Sequence, residues 1–395
     1  MNIYEKLGVR IIVNAKGPAT RVSGGIMRPE VGQAIVEATQ YCVDMTELQA
    51  RASEIIVEYT GAESGIVTAG AAAGLLLGTA ACIAGLDPAK MNRLPDVRGL
   101  KNEVIVVRSQ RNFYDHAVRA TGARLVEVGI ADRFSGAGVR DTDPWEIADA
   151  ISDRTACIYY VAAEQSRPVL SAVTAIAREA AVPVLVDAAA QLPPVVNLRR
   201  FIEEGADLVA LSGGKAILGP QSSGLLFGRR DLIASAILQN LDQDLFFEQW
   251  RAPPGIFRGI QLRGLPQHGI GRACKVGKEQ VVGALVALKS FVEEDLRKRH
   301  VECKASLNKI IEILPSRLRG HTEIVQKSED AEPILYLELD SPTAALDLVV
   351  ALQDGEPCIH ADPTPVDDSK IAFSALCLRE GQEEVIGRRL NELLI

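Results

Sequence analysis

From residue 50 onward, short apolar and β-branched runs alternate with stretches of helical periodicity. The runs at 104–107, 124–128, 156–161, 182–186 and 208–211 are four to six residues long. Segments 144–151, 172–181 and 198–205 lie between them and carry the 3.6-residue spacing of amphipathic helices. Strands that are apolar throughout, separated by helices, predict an α/β fold with a mostly parallel sheet covered on both faces. After residue 270 the pattern changes to long helices with charged outer faces, running to about residue 314. Two strand-like runs follow, at 334–339 and 370–375, with a helix at 343–352 between them and a closing helix after them. This predicts a smaller α+β domain. The boundary is expected near residue 275, with an N-terminal segment and large domain over 1–275 and a small domain over 276–395.

One stretch breaks the alternation. Residues 65–86 contain no charged side chain over 22 positions and place Gly70, Gly74 and Gly78 at GxxxG spacing. A hydropathy window would select it as a membrane span. Its weight comes from Ala and Gly, however, which supply far less transfer energy than Leu, Ile or Phe. The expectation is a strand end at 65–68, then a loop entering a buried helix.

Composition narrows the class. The chain has 395 residues, 47% of them hydrophobic and 24% charged, with a net charge of −8. That is enough to bury a sizeable core, and it excludes disordered, collagenous and disulfide-built chains. The acidic balance and the lack of a long Lys/Arg block leave no electrostatic footprint for nucleic acid or an anionic membrane, so a small-molecule partner is expected. The seven cysteines are scattered singly with no CxxC spacing, and they read as reduced thiols with no metal role. The first residues lack a basic stretch followed by an apolar one, so a cytoplasmic location is expected.

Where ligands bind such sheets, they sit beyond the carboxyl ends of the strands. Asp187 ends the run 182–186, and Lys215 follows the next strand in Ser212-Gly213-Gly214-Lys215. If those strands are neighbours, their ends lie about 5 Å apart. A carboxylate and an amine so placed can hold a pyridine ring between them, the acid on the ring N–H and the lysine bonded to an aldehyde as a Schiff base. The turn Thr68-Ala69-Gly70-Ala71-Ala72-Ala73-Gly74 leads a strand into a helix through residues with little side chain, leaving backbone N–H groups free for a phosphate. Ser212 adds a hydroxyl. Each feature alone has a plainer reading: solvated lysine, helix-capping aspartate, packing turn. Together and in this order they fit pyridoxal phosphate. A Walker A loop is excluded, because Val209 and Ala216 stand where Gly and Ser/Thr are required.

The sequence also resembles the fold-type I pyridoxal-phosphate enzymes, and within them the selenocysteine-synthase-like group that includes D-glucosaminate-6-phosphate ammonia-lyase. The resemblance runs along nearly the whole chain: Leu7-Gly8-Val9-Arg10, Val13-Asn14-Ala15, Thr60-Gly61-Ala62-Glu63, Tyr114-Asp115-His116-Ala117, Val186-Asp187-Ala188-Ala189, Ser212-Gly213-Gly214-Lys215, Gly219-Pro220-Gln221-Ser222-Ser223-Gly224, Gly269-Ile270-Gly271-Arg272 and Lys275-Val276-Gly277-Lys278. It implies that Lys215 holds the cofactor and moves the α-proton, that Asp187 keeps the ring nitrogen protonated, and that Gly70, Ala71, Ala72, Ala73 and Ser212 bind phosphate. His116 is implied over the ring face. Arg21, Arg272, Lys275 and Arg379 are the cations expected to meet the substrate's acid groups. The segment Leu376-Cys377-Leu378-Arg379-Glu380 departs from the usual pattern, so the substrate is left open. The activity implied is an ammonia-lyase acting on a 2-amino-3-hydroxy acid or amino sugar acid. Racemase, aldolase, selenium-transferase and non-catalytic binder readings stay open beside it, and a homodimer or larger homo-oligomer is expected.

Overall fold

The structure is a computed structural model that describes residues 2–130, 141–242 and 244–394. In chain order its strands are β1 (Ile12–Asn14), β2 (Ser64–Thr68), β3 (Glu103–Val107), β4 (Arg124–Val128), β5 (Thr155–Val161), β6 (Val184–Asp187), β7 (Leu208–Ser212), β8 (Gly224–Gly228), β9 (Thr322–Val325), β10 (Ile334–Glu338), β11 (Cys358–His360) and β12 (Lys370–Ser374). The chain divides into two compact units, residues 27–292 and residues 1–26 with 293–395.

The larger unit is built on a seven-stranded sheet of order β2-β8-β7-β6-β5-β3-β4, in which only the pairings of β8 are antiparallel among the described residues. Strands β2, β3, β6 and β8 are buried at every residue, as their unbroken apolar runs require. Alternate residues feed two apolar layers, one on each face. Val184, Val186 and Val209 lie in one layer, and Leu185, Leu208 and Ala210 in the other. The predicted helices appear as Pro144–Asp149, Leu170–Glu179 and Asn197–Glu203, within two residues of the expected bounds.

The charge-free stretch resolves into β2 and the helix Ala71–Ala84, which packs on the second layer. A Cβ on Gly74 would lie 3.4 Å from the Cβ of Ala210, and one on Gly78 would lie 3.0 Å from Leu185 Cδ1. The GxxxG spacing therefore brings a helix close to a sheet. No helix of the described residues is long and apolar enough to cross a membrane.

The smaller unit holds the antiparallel sheet β12-β10-β9 and the parallel pair β1-β11. Helices Leu296–Ile313, Pro342–Asp354 and Gln382–Leu393 share its core, in which Leu307, Ile310, Leu335, Leu348, Phe373 and Leu390 are buried.

The division differs from the expected boundary at 275. Helix Lys278–Glu293 buries Val281, Ala284, Ala287, Leu288 and Phe291 in the same cluster as the large sheet. Its apolar stripe belongs to the large unit, and the chain leaves that unit only after Val292. The N-terminal residues depart in the opposite sense, since β1 pairs with β11 and places Val13 and Ala15 in the smaller core. A three-residue strand has no periodicity from which its distant partner could be read.

Candidate active site

Four segments arrive at one end of the large sheet. Register sets Thr68 of β2 opposite Gly224 of β8, and Gly224 opposite Ser212 of β7, so the three share one rung. Asp187 closes β6 opposite Ala210, two residues before that rung. β6 and β7 are indeed neighbours, as the spacing argument required.

The turn after β2 opens the helix Ala71–Ala84. Gly70 has φ of +95°, a region that suits glycine, and no side chain caps the helix. The first intrahelical bond runs from Gly74 N–H to Gly70 O at 3.2 Å, which leaves the N–H groups of Ala71, Ala72 and Ala73 outside the helix ladder. Thr68 Oγ1 donates to Gly70 O at 2.9 Å and holds the turn. A Cβ on Gly224 would stand 2.5 Å from the carbonyl carbon of Gly70 and 2.7 Å from Ala71 N. The missing side chain at 224 is what allows the turn to lie on the sheet end.

Lys215 leads a loop that is stitched shut. Gly213 N–H donates to Ser223 O at 2.8 Å, Gly219 N–H to Gly213 O at 2.9 Å, and Leu218 N–H to Lys215 O at 2.9 Å. A Cβ on Gly214 would meet Gln221 Cα at 2.7 Å, so the two glycines before the lysine are needed for this approach. The lysine itself is half-buried. Burial lowers the pKa of its ammonium, and the charge of Asp187 partly restores it.

Asp187 is 6% exposed. Its Oδ1 accepts Ala189 N–H at 3.1 Å, and its Oδ2 accepts the Tyr159 hydroxyl at 3.0 Å. Burial pushes the carboxyl upward, while these two donors and the charge of Lys215 pull it down. A carboxylate held by neutral donors in a poorly solvated place suits a cationic N–H. The amide edge at 71–73 left outside the helix ladder, the buried acid and the amine of depressed basicity are the three groups pyridoxal phosphate needs, so the residues present fit it.

The remaining expected residues fall differently. His116 lies in the short helix Asp115–Arg119, exposed, with Nδ1 3.3 Å from Phe113 O. Its neighbour Asp115 is buried and paired with Arg111 and Arg119, and Arg111 also pairs with Glu127. This network anchors the segment that presents the histidine. Arg272 is engaged by Asp242 at 2.8 Å, and Lys275 is exposed; both lie in the larger unit. Arg21 and Arg379 belong to the smaller unit. Arg21 is turned onto His360, with Nη2 3.1 Å from Nδ1, and onto Gln353. Arg379 is exposed. Sequence reasoning passed over Tyr159 and Gln110. Gln110 takes the N–H of Val161 at 3.0 Å and so ties the end of β5 to the loop after β3. Two adjacent tyrosines in one strand must face opposite layers, and that was the available signal for Tyr159.

No family model matches the chain. The chain is 30% identical to a 5'-C-glycyluridine monooxygenase-decarboxylase from Streptomyces sp, over 99% of this chain and 92% of that one. It is 29% identical to the D-glucosaminate-6-phosphate ammonia lyase of Salmonella typhimurium (strain 14028s / SGSC 2262), over 99% and 98%. A solved structure of D-glucosaminate-6-phosphate ammonia-lyase superposes with a TM-score of 0.81 at 27% identity, covering 100% of this chain and 98% of that one. The sheet order, the lysine and aspartate on neighbouring strand ends and this likeness along the full length agree, and the chain belongs to the fold-type I pyridoxal-phosphate enzymes, in the group that includes D-glucosaminate-6-phosphate ammonia-lyase.

Proposed function

We propose that the protein is a pyridoxal-phosphate-dependent lyase that converts a 2-amino-3-hydroxy acid, or an amino sugar acid of that pattern, to a 2-keto-3-deoxy acid and ammonia. The observation that carries the reading is the convergence of Thr68, Asp187, Ser212 and Lys215 on one sheet end, joined to the likeness to an ammonia lyase over almost all of both chains. When bound, the cofactor supplies an electron sink that makes the α-hydrogen of an attached amine acidic. Lys215 Nζ would hold its aldehyde carbon, the N–H groups of Ala71, Ala72 and Ala73 with the Ser212 hydroxyl would hold its phosphate, and Asp187 would receive its ring N–H.

The depressed basicity of Lys215 raises the share of the neutral amine, the form that bonds a carbonyl and accepts a proton. The same Nζ would take the substrate's α-proton. Loss of the 3-hydroxyl with that proton and hydrolytic release of nitrogen balance as one amino hydroxy acid giving one keto acid and one ammonia. Arg272 and Lys275, in the same unit as Lys215, are proposed for the acid groups of the substrate, with Arg272 leaving Asp242 to do so. His116 is proposed for the ring face.

The test is a panel of 2-amino-3-hydroxy acids and amino sugar acids given to the purified protein, with ammonia and keto acid measured. Lys215→Ala should remove the yellow chromophore and the borohydride-trapped label and lower turnover about 10²–10⁴-fold or more. A second reading follows from the 30% identity to the monooxygenase-decarboxylase, against 29% to the ammonia lyase: loss of the α-carboxylate in place of the 3-hydroxyl. Carbon dioxide without ammonia in the same panel would decide for it. We infer a homo-oligomer by likeness to the group, and an active species of monomer mass on gel filtration would refute that.

A further inference from the structure

A chain of side chains, buried at Tyr159 and half-buried at Asn112, reaches the ring-nitrogen acid. Tyr159 lies in β5 one strand away from Asp187, is 1% exposed, and donates its hydroxyl to Asp187 Oδ2 at 3.0 Å. The Asn112 side chain acts on the same phenol, and its Oδ1 accepts Tyr114 N–H at 2.8 Å, next to His116. We propose that Tyr159 is a positioning residue of the cofactor site, whose hydroxyl keeps the Asp187 carboxylate ionised and turned so that it can receive the cofactor's ring N–H. The inference rests on Asp187 being that acid.

The chemistry admits one direction for the proton. Burial, the negative charge of Asp187 and the bond to it all hold the phenol protonated, with Asp115 adding to this and Asn112 opposing it. A phenol that keeps its proton acts toward Asp187 as a donor. Asp187 in turn faces Tyr159, the Ala189 N–H and the charge of Lys215. Of these, the Tyr159 bond is a side-chain donor fixed by the sheet itself. Removing it leaves Oδ2 without a partner in a buried place, where a carboxylate gains a proton more readily.

The test uses the full chain stripped of cofactor and titrated with pyridoxal phosphate from pH 5 to 9, with binding followed by absorbance. Affinity falls on the acid side as the Lys215 amine and Asp187 take protons, and the part that Asp187→Ala removes belongs to Asp187. Tyr159→Phe should displace that limb upward by about one pH unit, a tenfold change in proton affinity, which is the size of one hydrogen bond to a charged group. Asn112→Ala, which removes only the outer member, should displace it less and in the same direction. Tyr160→Phe is the control. It loses the same atom from the same strand, but its hydroxyl donates to Pro168 O in the other layer, so its limb should match the wild type. A Tyr159→Phe curve that overlays the wild type, or one weakened equally at every pH, overturns the proposal. A wild type whose acid limb is unchanged by Asp187→Ala overturns the assignment of Asp187 itself, which is a different result.

Discussion

At the scale of single residues the site depends on charges held where water is scarce. Asp187 is the clearest case, because burial raises its pKa in the folded chain above the ordinary aspartate value. A folded-state pKa above the unfolded one means that the folded protein binds the proton more tightly. The stability from that proton is present below the unfolded value and is lost as the pH rises through the folded one. In the cofactor-free protein, therefore, the melting temperature of wild type relative to Asp187→Asn should rise as the pH is lowered from 8 toward 4. A difference that stays constant over that range would show that Asp187 does not titrate as described. Asp187 and Lys215 could be picked out by residue type and position after apolar runs. Tyr159 was signalled only as one of two adjacent tyrosines, because which of them faces the acid depends on the phase of β5 against β6.

At the scale of elements, close approach is decided by glycines. Gly224 lies against backbone atoms of Gly70 and Ala71, which cannot rotate away. Gly224→Ala should therefore cost about 1–3 kcal/mol of stability by overpacking and should loosen the turn at 68–74. Gly74 faces the Cβ of Ala210 at an ordinary contact distance. Gly74→Ala should be neutral or stabilising by up to about 1 kcal/mol, since alanine is the better helix former. Thermal denaturation of both variants, with cofactor affinity measured beside it, checks the contrast. The apolar runs located β2 to β7 and four of the helices between them, but not the short helices Pro88–Arg93 and Asp115–Arg119. They were silent on β8, whose Gly224–Gly228 segment was visible only as the end of a loop motif. Nothing in a five-residue run states whether it will insert antiparallel between β7 and β2.

At the scale of the whole molecule, the seven cysteines report on both cores. All are free, and among them Cys42 is exposed while Cys157, Cys303, Cys358 and Cys377 are buried. Burial pushes the Cys303 thiol up to about 12 and the Cys377 thiol up to about 11. A thiol so protonated is a poor nucleophile. Iodoacetamide at pH 8 should label Cys42 within minutes and leave Cys303 and Cys377 unlabelled until the smaller unit unfolds, as peptide mass spectrometry would read out. Early labelling of Cys303 would contradict the packing of that core.

Hydrophobic periodicity is local, and so the sequence alone determined the α/β class, strands β2 to β7, β10 and β12 with several of the helices beside them, the small-residue turn at 68–74, and Asp187 and Lys215 as candidate acid and amine. Strand order and register are long-range, so only the tertiary structure decided that Thr68, Gly224 and Ser212 share a rung, that Tyr159 backs Asp187, and that helix Lys278–Glu293 stays with the large sheet. It also decided that residues before 27 join the smaller unit through a strand too short to carry a pattern. The cause is the same in each case: a side chain's neighbours along the chain set which element it joins, while its neighbours in space set what it touches.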